Sequence, residues 1–130
     1  MRVIKRRAEE IAAFDVKEAY GSDADGVTIR WISDLRTGGS EYLHHFALRH
    51  FTIKQDGYLA SHKHPWEQEI IVTKGKGQVT MDSKTFEANP GDVFYFAANE
   101  LHGFRNVASS DFEFYCIIGC VEKGENCIGL

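Results

Sequence analysis

Apolar and polar positions alternate with a period of two through most of the chain. Val27, Ile29 and Trp31 interleave with Thr28, Arg30 and Ile32, which predicts a strand over Val27 to Ser33. Phe46 to Lys54 predicts a second, ended by a turn at Asp56-Gly57. Glu69-Ile70-Ile71-Val72-Thr73 reads as a third, closed by Gly75 and Gly77. Gln78 to Met81 and Lys84 to Glu87 form a hairpin around Asp82-Ser83. Asn89-Pro90-Gly91 suits a turn with proline second and glycine third. Val93 to Phe96, Gly103 to Val107 and Phe112 to Val121 complete the strands, and Val3-Ile4 suits a short one at the start. Only Ala8 to Phe14, rich in Ala, Glu and Ile, predicts one or two helical turns. Gly21 to Gly26 and Thr37 to Ser40 are polar turn or loop, and the tail from Glu122 is polar and glycine-rich. Many short strands with frequent turns and almost no helix predict an all-β sandwich or barrel.

The breaks in the alternation carry the chemistry. His62 and His64 stand two apart, so on an extended chain both imidazoles leave one face. Pro65 then bends the chain away. His102 follows the aromatic strand Val93 to Phe96 and a short turn. Three neutral nitrogen donors converging from two strands make a transition-metal site.

These segments resemble the two motifs of the cupin family. The first falls on Gly57, His62, His64, position 68 and Gly75, the second on Gly91, positions 97 and 99, His102 and Asn106. The motifs cover residues 57–106. Gly57 is one residue nearer to His62 than the pattern has it. Ala97 replaces a proline and Asn99 a glycine, and Asn tolerates the left-handed backbone such a turn needs. Position 68, usually Glu, is Gln68. Gln68 shares parity with the histidines and leaves six residues to Gly75, whereas Glu69 fits a longer spacer. The phrase most resembles stand-alone four-histidine manganese cupins, with Gln in place of one His.

The resemblance implies one cupin domain over residues 1–130, a double-stranded β-helix (jelly-roll barrel) with a short N-terminal helical turn. It also implies one divalent transition metal, Mn or Fe first and Zn or Ni next, on His62, His64, Gln68 and His102. A homodimer is expected, as is a dioxygenase-like oxidoreductase acting on a small organic molecule. The alternatives are a Lewis-acid isomerase or lyase and a non-catalytic ligand-binding barrel. With Gln68 the ligand set is neutral, so the ion keeps its full double charge and strengthens as a Lewis acid.

Around the site, Arg49 and Phe51 share a face of the second strand with Ala47 and Ile53, opposite Leu48, His50 and Thr52. Burial of Phe51 and Ile53 turns Arg49 inward, where a substrate carboxylate is a suitable partner. The other reading is a surface arginine. Cys116 and Phe114 share the face of Phe112 and Ile118 and line the cavity if that face looks inward; otherwise Cys116 is an inert core cysteine. Leu59, Trp66 and Phe104 flank the ligands, with Trp66 suited to packing under the bend at Pro65. His44 and His45 read as solvated.

Composition narrows the partners. The 130 residues carry nine Phe, five Tyr and two Trp, enough for a core and a lined cavity. A net charge of −4 with no basic run disfavours nucleic acid. The three cysteines, at 116, 120 and 127, lack the number and spacing of a disulfide framework or a zinc knuckle. The basic start is interrupted by Glu9 and Glu10 before any apolar run, unlike a signal peptide, and nothing reaches membrane-span length. These features place the chain in a reducing cytoplasm.

Overall fold

The computed structural model describes residues 5–33 and 46–119. The predicted Val3-Ile4 strand, the 37–40 loop, His44, His45, Cys120, Cys127 and the tail from Glu122 lie outside these residues. The described strands are β1 (Ala13–Asp15), β2 (Ala24–Ser33), β3 (Phe46–His62), β4 (Gln68–Lys74), β5 (Gly77–Met81), β6 (Lys84–Ala88), β7 (Val93–Phe96), β8 (His102–Asn106) and β9 (Phe112–Gly119). One sheet contains them all in the order β6-β5-β8-β3-β9-β4-β7, with β2 on the other side of β3 and β1 beyond β2. The sheet curls on itself as an all-β jelly-roll barrel. No helix among the described residues is long and apolar enough to cross a membrane.

The period-two pattern becomes an inner face. Val27, Ile29 and Trp31 from β2, Phe51 and Ile53 from β3, Ile70 and Val72 from β4, and Phe112, Phe114, Cys116 and Ile118 from β9 are all buried in one core. Register sets these faces against each other, pairing Phe51 with Phe114 and Ile70 with Cys116. A one-residue slip would turn a whole set outward, so the buried face fixes the pairing.

Two expectations are corrected. Asp56-Gly57 does not end a strand: β3, 17 residues long in all, runs through it to His62 and bulges there. Five steps on β3, Ile53 to Tyr58, face two on β2, Val27 to Asp25. Asp56 takes φ 64°, and a Cβ on Gly57 would stand 2.8 Å from the Asp25 carbonyl oxygen. A turn and a bulge make the same dihedral demands, so the residues alone do not separate them. The predicted helix over Ala8 to Phe14 is a single 3-10 turn, Ala8–Glu10, followed by β1. The Arg30 guanidinium donates to the carbonyls of Ala8, Glu9 and Ile11; that of Ala8 also accepts the Ile11 N–H, and the other two are held outside a helical ladder. A short helix α1 (Val16–Tyr20) follows, its N-terminus capped by the Asp15 carboxylate and its C-terminus closed by left-handed Gly21.

Asn106, at the end of the second motif, is a latch. Its amide nitrogen donates to the Ile53 and Ser110 carbonyls at 2.9 and 2.7 Å, and its oxygen accepts from the Ala108 N–H at 2.8 Å. It ties β8 to β3 and to the turn before β9, and it is buried. Asn106→Ala leaves several of these groups unsatisfied. We expect it to lower unfolding stability by about 3 kcal/mol, read from the urea midpoint.

Candidate metal centre

A second irregularity in β3 builds the site. Inward positions run through Leu59 with odd parity, which alone would turn His62 outward. Between Leu59 and His62, however, three steps on β3 face two on β8, Phe104 to His102. The extra residue switches the parity, and His62 comes to face His102 directly. Gly103 makes the room: a Cβ there would lie 2.8 Å from Ser61 Oγ and 2.9 Å from Ser61 N. Beyond Pro65, β4 opens on Gln68. The left-handed turn at Asn99, φ 64°, returns the chain to His102, and the Asn99 N–H donates to the His64 carbonyl at 2.7 Å.

Each histidine is oriented by a carbonyl two residues away. Nδ1 of His62 lies 3.1 Å from the Ala60 oxygen, that of His64 2.8 Å from Trp66, and that of His102 2.8 Å from Glu100. A carbonyl only accepts, so each Nδ1 carries the proton and each Nε2 offers a lone pair. One donor atom from each ring lies within 4.8 Å of the others. His102 Nε2 is buried with no hydrogen-bond partner. The Gln68 side-chain oxygen stands 2.9 Å from His64 Nε2. Two lone-pair donors facing each other so closely fit a shared cation. Three imidazoles and one amide oxygen suit a divalent first-row transition ion.

Burial keeps the rings neutral. His62 and His64 are held below the usual imidazole range, mainly by desolvation, with the nearby Arg49 charge adding to it. Burial pushes His102 furthest, down to about 3, against the opposing pull of its bond to Glu100. Phe96 stacks on His102 at 4.6 Å, and Trp66 on His64 at 4.8 Å with the planes 9° apart.

Of the remaining predicted site residues, Arg49 is fully buried on the inner face. Its guanidinium lies 5.2 Å from the ring centres of both Trp31 and Phe51, 3.0 Å from the Cys116 sulfur and 3.5 Å from the Gln68 oxygen. Burial raises the Cys116 thiol above its usual range, against the opposing Arg49 charge. Phe104 reaches both His102, at 6.1 Å, and Phe114, at 4.7 Å. Phe114 continues to Phe51 at 5.2 Å, and Leu59 is buried on the same face. Gln68 points inward, whereas Glu69 is exposed on the outer face. His50 stays apart from the other histidines, 3.2 Å from Glu113 on the outer face. Sequence reasoning missed Phe96 and Trp31 as neighbours of the site. The inward parity of Trp31 was visible in β2; Phe96 required the β4–β7 register, which sets it opposite Gln68.

A family model described as "Cupin domain" matches residues 49–118, more than half of the chain. No curated protein matches significantly. Among solved structures, the polyketide cyclase RemF from Streptomyces resistomycificus superimposes with a TM-score of 0.76 at 22% identity, covering 96% of this chain and 89% of its own. A predicted oxalate decarboxylase from Thermotoga maritima gives 0.75 at 17%, covering 91% and 100%. Rru_A2000, a cupin-2 domain from Rhodospirillum rubrum, gives 0.73 at 19%, covering 92% and 76%. At these identities the likeness is one of fold.

Two outcomes follow from the geometry. Gly103→Ala pushes on Ser61 and disturbs the bulge that aims His62, so zinc affinity by calorimetry should fall about tenfold or more. The metal-free protein should also lose stability steadily from pH 6.5 towards pH 4. In that window the unfolded His102 takes a proton that the folded ring, with its pKa near 3, refuses. His102→Phe should flatten this dependence in melting curves.

Proposed function

The chain is a cupin, and we propose from this that it is a metal-dependent enzyme acting on a small carboxylate-bearing organic molecule. The observation that carries the reading is the set of four neutral donors, His62, His64, His102 and Gln68, gathered at the buried end of β3, β4 and β8. A divalent ion held there supplies Lewis acidity towards a coordinated oxygen.

The chain's own residues supply the rest. The three imidazoles would hold the ion without giving it negative charge, so an anionic chelating group would be the natural further ligand. Arg49 adds a fixed positive charge on the same inner face, suited to a carboxylate. Phe51, Leu59, Phe104 and Phe114 are buried in the apolar core beside the histidines, where they would exclude water, and Trp66 lies flat on His64. Position 68 carries an amide where a carboxylate ligand is usual, so a reaction that needs no carboxylate base at that position fits best, which favours an isomerase or lyase working by polarisation. That one solved neighbour is described as a predicted decarboxylase of oxalate, a dicarboxylate, supports an anionic substrate.

A dioxygenase-like oxidoreductase is the second reading. His62, His64, Gln68 and His102 would hold a redox-active ion such as iron or manganese, which would supply oxygen chemistry towards a chelating substrate.

Mass spectrometry of tag-free protein should find about one Mn, Fe, Zn or Ni per chain, and none in a His62→Ala, His102→Ala double variant. Protein that neither contains nor takes up such an ion defeats the reading. With the metal in place, a panel of small carboxylates separates the two chemistries: oxygen uptake with Fe(II) or Mn(II) marks the oxidoreductase, and anaerobic turnover with Zn(II) or Ni(II) marks the Lewis-acid enzyme.

A further inference from the structure

We propose that Arg49 sets the orientation of the Gln68 amide, so that its oxygen and not its nitrogen faces the three histidines. Arg49 is thus a positioning residue for the fourth donor. The inference rests on the metal reading above.

An amide is ambiguous in a way a carboxylate is not: turned over, it presents a donor where it had presented an acceptor. At position 68 the two neighbours ask for opposite things. His64 Nδ1 donates to the Trp66 carbonyl at 2.8 Å, so its Nε2 is a lone pair, 2.9 Å from the amide, and alone it would draw the NH2 group. Arg49 lies on the other side with its NH2 3.5 Å from the same amide atom, and a guanidinium only donates. At 3.5 Å the hydrogen bond is long, but a full charge facing an amide dipole in a buried site still favours oxygen over nitrogen. Arg49 is itself held in place, between the Trp31 and Phe51 rings and against Cys116 Sγ at 3.0 Å. The β3–β9–β4 register supports this, because Arg49 pairs with Cys116 and Cys116 with Ile70, two residues from Gln68.

The sign of the effect separates this role from simple proximity. As a bare charge beside a cation, Arg49 weakens metal binding, and removing it strengthens binding. As the group that orients Gln68, it strengthens binding, and its loss weakens it. A carboxylate has oxygen at both ends and needs no orienting, so Gln68→Glu should make the metal indifferent to this role.

The test is zinc affinity by calorimetry on the full chain, without substrate. Arg49→Lys keeps the charge but lacks the planar fork, and its shorter reach misses a contact already at 3.5 Å. We expect about a tenfold loss of affinity in Arg49→Lys. In the Gln68→Glu background the same substitution should change affinity less than about twofold. Arg49→Met is the second variant: weaker binding that Gln68→Glu abolishes supports the inference, and tighter binding overturns it. Unchanged affinity in Arg49→Lys, or an equal loss in both backgrounds, overturns it while leaving the metal site standing. Wild-type protein that takes up no zinc, manganese or iron removes the metal reading and this inference together.

Discussion

The centre depends on one extra residue in β3. A strand alternates faces strictly, so Leu59 and His62 cannot both point inward on a regular ladder. The bulge opposite Gly103 breaks the count and turns the strand's parity over. Upstream of it, odd-numbered residues make the wall; downstream, His62 and His64 make the site. A pure barrel strand would have supplied a packed core and left the histidines on the outside. Gly103 gives up a side chain in the middle of β8 so that the backbone of β3 can crowd in.

Around that bulge the fold uses local contacts to set long-range chemistry. Each imidazole is tied to a carbonyl within two residues of itself, so its orientation is decided by its own loop. The barrel only has to bring three finished pieces together. Burial then keeps the rings neutral and stacks two of them on aromatic slabs, so a metal ion would meet the histidines without competing protons. The buried Arg49 lies against two aromatic faces, beside the amide that stands where an acidic ligand is usual.

Much of this was legible in the chain. The alternation in β2, β3 and β9 separated two faces, and the need to bury Phe51 and Ile53 favoured turning Arg49 inward over the surface reading; Phe114 and Cys116 shared a face whose direction the pattern left open. The spacing from Gln68 to Gly75, and its parity with the histidines, placed Gln68 inward and left Glu69 outside. Asn99 took the left-handed turn its small polar side chain permits. What was not legible needed a partner strand. Asp56-Gly57 reads as a turn because a bulge asks for the same dihedrals, and only β2 on the far side shows that the strand continues. The short helix failed at Ala8 to Phe14 because Arg30, some twenty residues away, claims the carbonyls that a ladder would use. The parity switch before His62 depends on Gly103, forty residues downstream, and no local pattern announces it.

The flat stacking of Trp66 on His64 has a consequence for how the protein is watched. An indole lying 9° from parallel over an imidazole feels the charge that ring carries. Were His64 to give its lone pair to a cation, the charge would arrive directly against the Trp66 ring, where its emission would register it. The chain's other tryptophan, Trp31, sits against Arg49 and bonds to Tyr20, one residue removed from the ligands. The indole stacked on His64 would thus serve as an optical gauge of that ring, through which filling of the site could be followed without a label.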